Sequence, residues 1–208
     1  MENGSDHMSE KYSTTLNTRS FMYYETKLIA DLLYKGFSEN EIKDKVLEEN
    51  ILQLPSVDRA SKFYHEIIKR LNYLDDYLLE NFISADQLTA KALLLYAILK
   101  KDKLFFEWMR EIIFDKFLIM DMTLSKNETD YFFELKGEQS TNVKNWTSDS
   151  KRRLRDAYHQ VLKEAGMLTQ IDEENYLQHL IIDVHVKDYL IINKEKQLVE
   201  VMLGEPLI

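Results

Sequence analysis

The sequence predicts a mainly helical protein, and three observations carry that prediction. Only five Gly and two Pro occur in 208 residues, too few for a turn-dense β protein. Apolar residues recur at spacings of three and four along most of the chain, the period of a half-buried helix. Side chains that cap helices stand directly ahead of several of these runs, where their oxygens can take otherwise unpaired amides. The expected arrangement is an N-terminal helical bundle over 12–122 and a C-terminal helix-turn-helix-like module over 123–208, with a small β wing. The boundary falls at about Asp121 to Lys126.

Residues 1–11 read as a tag and a disordered start, since MENGSDHM has no apolar signal core and Met8 fits a native beginning. Phe21, Tyr24, Leu28 and Leu32 then mark an amphipathic helix between Ser20 and Gly36. Ser38 and Glu41 form a capping-box pair opening a short helix with Ile42 and Val46 inward. Pro55 breaks the chain, and Ser56 or Asp58 caps a helix bearing Ala60, Phe63, Tyr64, Ile67, Leu71 and Leu74. Another capping-box pattern, Ser84 to Gln87, precedes a helix with Leu88, Ala92, Leu95, Tyr96 and Leu99. Lys101 to Lys103 connects it to an aromatic-rich helix over Leu104–Leu118, apolar on most sides and so expected at the centre of packing.

Ser125 and Glu128 cap a helix expected to run through Leu135 and to end at Gly137. A brief segment around Val143 and Trp146 leads to a longer helix, with Thr147 or Ser148 at its start and Gly166 at its end. This order resembles a helix-turn-helix arrangement. Met167–Ile171 and Tyr176–Val184, around a polar turn at Asp172–Asn175, read as a two-stranded wing; His179–Ile192 fits a helix equally well. Lys194–Leu203 reads as a last helix.

Cysteine is absent, which excludes disulfides, thiol catalysis and thiolate metal sites and fits a reducing cytoplasm. The longest strongly apolar run, Ala92 to Leu99, is far below the roughly 20 residues that span a bilayer. No membrane association is therefore expected. Five isolated glycines build neither a phosphate cradle nor a dinucleotide fingerprint, and no nucleophile elbow is present. His179 and His185 are six apart, a spacing that suits neither helical nor strand pairing on one face. His65 stands at the margin of its helix's apolar row. The paired acids Glu48-Glu49, Asp75-Asp76 and Glu173-Glu174 read as solvated or capping groups. Glu25, flanking an apolar face, is a candidate partner for Arg59 or Arg70. No catalytic residue, metal or cofactor is expected.

The long helix after Trp146 carries the functional signal. At about 100° per residue, Leu154, Ala157, Tyr158, Val161, Leu162 and Ala165 share one side. Arg152, Arg155, His159 and Lys163 form a row on another. In a chain of formal charge −9, such a row fits local recognition of a nucleic-acid backbone, or else a solvated basic face. Lys144 and Lys151 extend it. Phosphate contacts through Lys144, Lys151, Arg152, Arg155 and Lys163 would give a log–log salt slope of roughly −4 to −5. Arg19, Arg59, Lys62 and Arg70 form a candidate second basic surface, or simply pair with acids such as Glu66.

Four blocks together are similar to a known family: YSTTLNTRSFMYYETKLIADLL, ENILQLPSVDRASKFYHEIIKRLNYLDD, LLLYAILKKDKLFFEWMREIIFDKF and NWTSDSKRRLRDAYHQVLKEAGML. They resemble BrxA, the small helical protein of BREX bacteriophage-exclusion systems, over roughly Tyr12 to Leu168. The resemblance implies a cytoplasmic, helical, non-enzymatic defence component that contacts DNA beside other BREX proteins such as the adenine methyltransferase. It also admits an RNA-binding role, through likeness to a helical antitermination fold. It transfers no catalytic residue. The competing function is a protein–protein adaptor whose interface is its acidic surface and aromatic-rich helices.

Overall fold

A computed structural model describes residues 12–207, so the expected tag and start over 1–11 lie outside the described residues. A single 3-10 turn (Thr15–Asn17) leads into α1 (Tyr23–Tyr34) and α2 (Glu39–Leu47). Ser38 and Glu41 close the capping box ahead of α2. α3 (Val57–Leu71) starts at Ser56, whose hydroxyl accepts from the Arg59 amide. Of the two caps expected there, the serine is the one used.

α4 (Asp76–Ser84) was not expected from the sequence; Asp75 caps it through the Leu78 amide. Asp86, rather than the Ser84 pattern, caps α5 (Gln87–Lys101), accepting from the amides of Leu88 and Thr89. α5 is the central helix, buried continuously from Ala92 to Leu99 and packed on α3, α4 and later elements from the C-terminal half. The next helix, expected at the centre, keeps a polar edge. It runs as α6 (Lys103–Trp108), a π-helical stretch (Met109–Phe114) and α7 (Asp115–Leu118). Leu104, Phe105, Trp108, Met109 and Ile113 are buried, while Glu107 and Glu111 reach its rim.

The C-terminal half contains α8 (Lys126–Gln139), α9 (Thr141–Lys144) and α10 (Ser148–Ala165). A hairpin of β1 (Leu168–Ile171) and β2 (Glu174–Leu177) follows, then α11 (Val184–Ile192) and α12 (Lys196–Leu203). The strands pair antiparallel with Leu168 opposite Leu177. Their turn is two residues long, with Asp172 at φ 46° and Glu173 at φ 70°, the backbone that tight hairpins require. The second strand is thus shorter than expected: it ends at Leu177, residues 178–183 are irregular, and α11 begins only at Val184. Thr123 bridges to Tyr176, so the segment ahead of α8 adds a third edge to the hairpin.

Gly137 does not end α8. It is buried inside the helix, where the Lys144 backbone crosses close by. In α1, Tyr24 is 76% exposed, whereas Tyr23, Thr26, Ile29 and Ala30 turn inward. The expected apolar face was rotated by about one residue, because two adjacent tyrosines make either phase plausible. Buried residues on both sides of 121–126 belong to one cluster. α10 and α12 each pack on α5, which joins the halves through the same core. No helix among the described residues is long and apolar enough to cross a membrane.

Candidate nucleic-acid interface

α10 is held at both ends as its sequence dictates. The Thr147 hydroxyl accepts from the Ser150 amide, and Gly166 closes the helix at φ 88°, a conformation that costs a side-chain-bearing residue. Leu154, Tyr158, Val161, Leu162 and Ala165 are buried. Tyr158 sits between Phe105 and Trp108, at ring-centroid distances of 4.8 and 5.1 Å. This apolar face orients the rest of the helix.

The neighbouring α8 is pinned by two buried lysines. Lys136 on α8 reaches Glu107 and Glu111 at 2.7 and 2.8 Å. Lys116 on α7 reaches Asp121 and Glu128 at 2.6 Å each. The bond to Lys116, followed by those from the Thr123 hydroxyl and amide, holds the Asp121 carboxyl down to about 2. The two lysines fix the seam into which part of the basic row falls.

His159 is in that seam and is corrected out of the exposed row. It is buried, with Nε2 2.9 Å from the Thr129 hydroxyl and Nδ1 lacking a partner. Burial, then the nearby Arg155 charge, pull its pKa down to about 4. Its imidazole is therefore neutral at pH 7 and contributes no positive charge. Arg155 is also drawn inward. Its guanidinium lies 2.8 Å from Asp130 on α8 and 2.9 Å from Asp156, and its side chain is 14% exposed. Helical spacing set the row correctly, but the packing of α8 covers its middle.

Arg152 is exposed and shares Asp149 with Arg153, at 2.5 and 2.8 Å. Arg153 is the exposed cation that the expected row omitted; the adjacent arginines of the KRR run were its only signal. Lys144, Lys151 and Lys163 have no acidic partner among the described residues. Lys163 Nζ donates to Gln170 Oε1 in β1 at 3.1 Å, tying the helix's last turn to the hairpin. Beside it, Lys126, Gln160, Lys163 and Gln170 line a small cleft of about 270 Å³ that also contains Asp156 and Glu173. This surface is a set of lysines with competing acids, suited to exchangeable ionic contacts.

The second expected surface divides. Arg70 is 1% exposed and cannot contribute to it. Its Nε donates to Glu66 at 3.0 Å, while its other nitrogens donate to the carbonyls of Arg19, Ser20 and Phe21. Lys101 also reaches Glu66, at 3.1 Å. Arg19, Arg59 and Lys62 do come together, along one cleft. Glu25 forms no ion pair among the described residues; Glu66 takes the partner proposed for it.

The chain matches the BrxA family model over residues 10–194. It is similar to a protein of Bacillus cereus (strain H3081.97) named BREX protein BrxA, with 31% identity over 194 residues, covering 93% of this chain and 97% of the relative. A protein of the same name from Paramagnetospirillum magneticum (strain ATCC 700264 / AMB-1) is 23% identical over 190 residues, covering 91% and 94%. The crystal structure of an uncharacterized protein from Magnetospirillum magneticum superposes with a TM-score of 0.79 at 21% identity, covering 93% of this chain and 99% of that one. That likeness shows a shared fold over 93% of this chain.

Proposed function

The chain belongs to the BrxA family, and on that footing we propose that it is a component of a BREX bacteriophage-exclusion system that contacts DNA through phosphates. The name BREX is carried by the relatives. The observation that carries the DNA reading is the setting of α9 and α10: one face of α10 is locked in the core, and Lys144 of α9 with Lys151 and Lys163 of α10 have no acidic partner among the described residues. The order of edge segment, α8, α9, α10 and hairpin supports a winged helix-turn-helix reading, with α10 as the helix offered to a groove. Arg152 and Arg153 join the contact by exchanging Asp149 for a phosphate. The proposed setting is the cytoplasm, beside other BREX proteins such as the adenine methyltransferase, and no reaction, metal or cofactor is assigned.

Fluorescence anisotropy with a labelled duplex at two salt concentrations tests this reading. The wild type should bind with a salt-dependent affinity, and Lys144→Ala/Lys151→Ala/Lys163→Ala should lower the log–log slope by about 0.9 per lost contact. Single-stranded RNA of matched length separates an RNA role from a DNA one. Binding that is unchanged in the folded triple variant would move the interface off α10.

An adaptor role has one observation of its own. Leu118, Ile119 and Met120 are 50%, 74% and 86% exposed, an apolar run at the end of α7. Loss of a BREX partner on Ile119→Ser/Met120→Ser, with DNA binding intact, would establish it.

A further inference from the structure

A cleft of about 690 Å³ lies between residues 17–20 and the start of α3. Thr18, Arg19 and Ser20 line it from one side, and Arg59 and Lys62 from the other. Lys62 donates to Asp58 at 2.6 Å, so three cations meet one carboxylate. Arg59 rests on the Phe63 ring, 5.3 Å from its centroid, which leaves its guanidinium edge available to an acceptor.

Two features set this cleft apart from an ordinary basic surface. Arg19 Nε and Asn17 Oδ1, both on residues lining the cleft, are buried without a hydrogen-bond partner among the described residues. Buried polar groups are nearly always paired, and a donor on a charged group is costly to leave unmet. An oxyanion drawn in beneath the Arg19 side chain, with a small shift of that side chain, gives this donor an acceptor; the Asn17 oxygen, itself an acceptor, gains nothing from an anion. The wall is also built in advance. The buried Arg70 guanidinium holds the carbonyls of Arg19 and Ser20 at 2.6 Å each and that of Phe21 at 3.0 Å. The loop therefore needs little reordering to receive a ligand, which favours binding.

We propose that this cleft is a phosphate-oxyanion site, separate from Lys144 of α9 and the half-buried lysines of α10. The Asn17 side chain donates to the Ser150 carbonyl in the first turn of α10, at 3.3 Å. Arg153 lies three residues on from Ser150, on the neighbouring helical position. A nucleic-acid strand seated in the cleft thus continues past Asn17 to Arg153, giving the molecule one track instead of a single contacting helix. That occupant rests on the DNA reading above; a free phosphate group does not.

Two readouts on Arg59→Ala/Lys62→Ala test the proposal, with Arg59→Gln/Lys62→Gln as the second variant if the first fails to fold. Phosphorus NMR of pyrophosphate should show line broadening by the wild-type chain that the variant loses. Duplex anisotropy should show a salt slope reduced by about 0.9 for each contact removed. Loss of both effects supports the site with a nucleic-acid strand as its occupant. Loss of broadening with an unchanged duplex slope supports it with a small phosphate compound as the source. Broadening that is absent in the wild type or retained in the variant, with an unchanged slope, overturns it. If the wild type binds no duplex, the α10 reading fails and the phosphorus signal alone decides the cleft.

Discussion

Three side chains show how far packing redirects charge. Arg70 and Glu66 were legible as an i, i+4 pair, but their burial was not, because it depends on the 19–21 backbone folding over α3. Removing one partner of such a pair strands the other in a poorly solvated site. Arg70→Ala should therefore cost about 3–5 kcal/mol in urea unfolding, while Lys62→Ala, with an exposed partner, stays within about 0.5 kcal/mol. Arg155 predicts the opposite kind of effect. Asp130→Asn removes one of its two carboxylate partners and a negative charge near α10. That variant should bind a duplex more tightly than wild type by anisotropy; weaker binding would mean that the Asp130 contact positions Arg155 for the ligand. His159 makes a pH prediction. With its folded pKa lowered to about 4 from 6.5, the unfolded chain takes up the proton first as pH falls. Stability from this group is thus full above pH 6.5 and lost between there and pH 4, by roughly 3 kcal/mol in all. Thermal unfolding at pH 7.5 and 5.5 should show a smaller difference for His159→Phe than for wild type, and parallel losses would contradict the assignment.

At the scale of elements, caps were the most readable signal. Ser38, Ser56, Ser125 and Thr147 all stand where their helices begin, because a cap is a local interaction that needs no knowledge of the rest of the chain. α4, nine residues long like α2, is not legible because Leu78 stands where α2 has the Glu41 that completes its capping box, leaving Asp75 as a lone cap. The phase of α1 was missed for a tertiary reason: α3 and α4 pack on it and select Tyr23 over Tyr24. Glycines at helix ends separate local from tertiary demands. Gly166 has φ 88° with open space at its Cβ position, whereas a Cβ on Gly204, at φ 71°, would overlap the Phe117 ring. Gly166→Ala should cost about 1 kcal/mol from backbone strain alone. Gly204→Ala adds the cost of overpacking, about 1–3 kcal/mol, so its melting temperature should fall further. Equal losses would show that the Phe117 side chain gives way freely.

For the whole molecule, a helical fold was legible because each helix advertises itself, and the hairpin because its strands flank a short polar turn. The shared core was less so. α5 reads as one more amphipathic helix until α10 and α12 are seen packed on it, burying the face that composition alone would leave to solvent. The interface was half legible for the same reason. Spacing found the basic helix, but only the placement of α8 shows that His159 and Arg155 are taken while Lys144, Lys151 and Lys163 remain. The most direct test of the account is hydrogen–deuterium exchange of the full chain with and without a 30-base-pair duplex at low salt. Protection confined to α9, the ends of α10, the neighbouring β1–β2 hairpin, residues 17–20 and the first turns of α3 is the predicted result. Protection of the Leu118–Met120 region alone, with α10 exchanging as in the free protein, would contradict it.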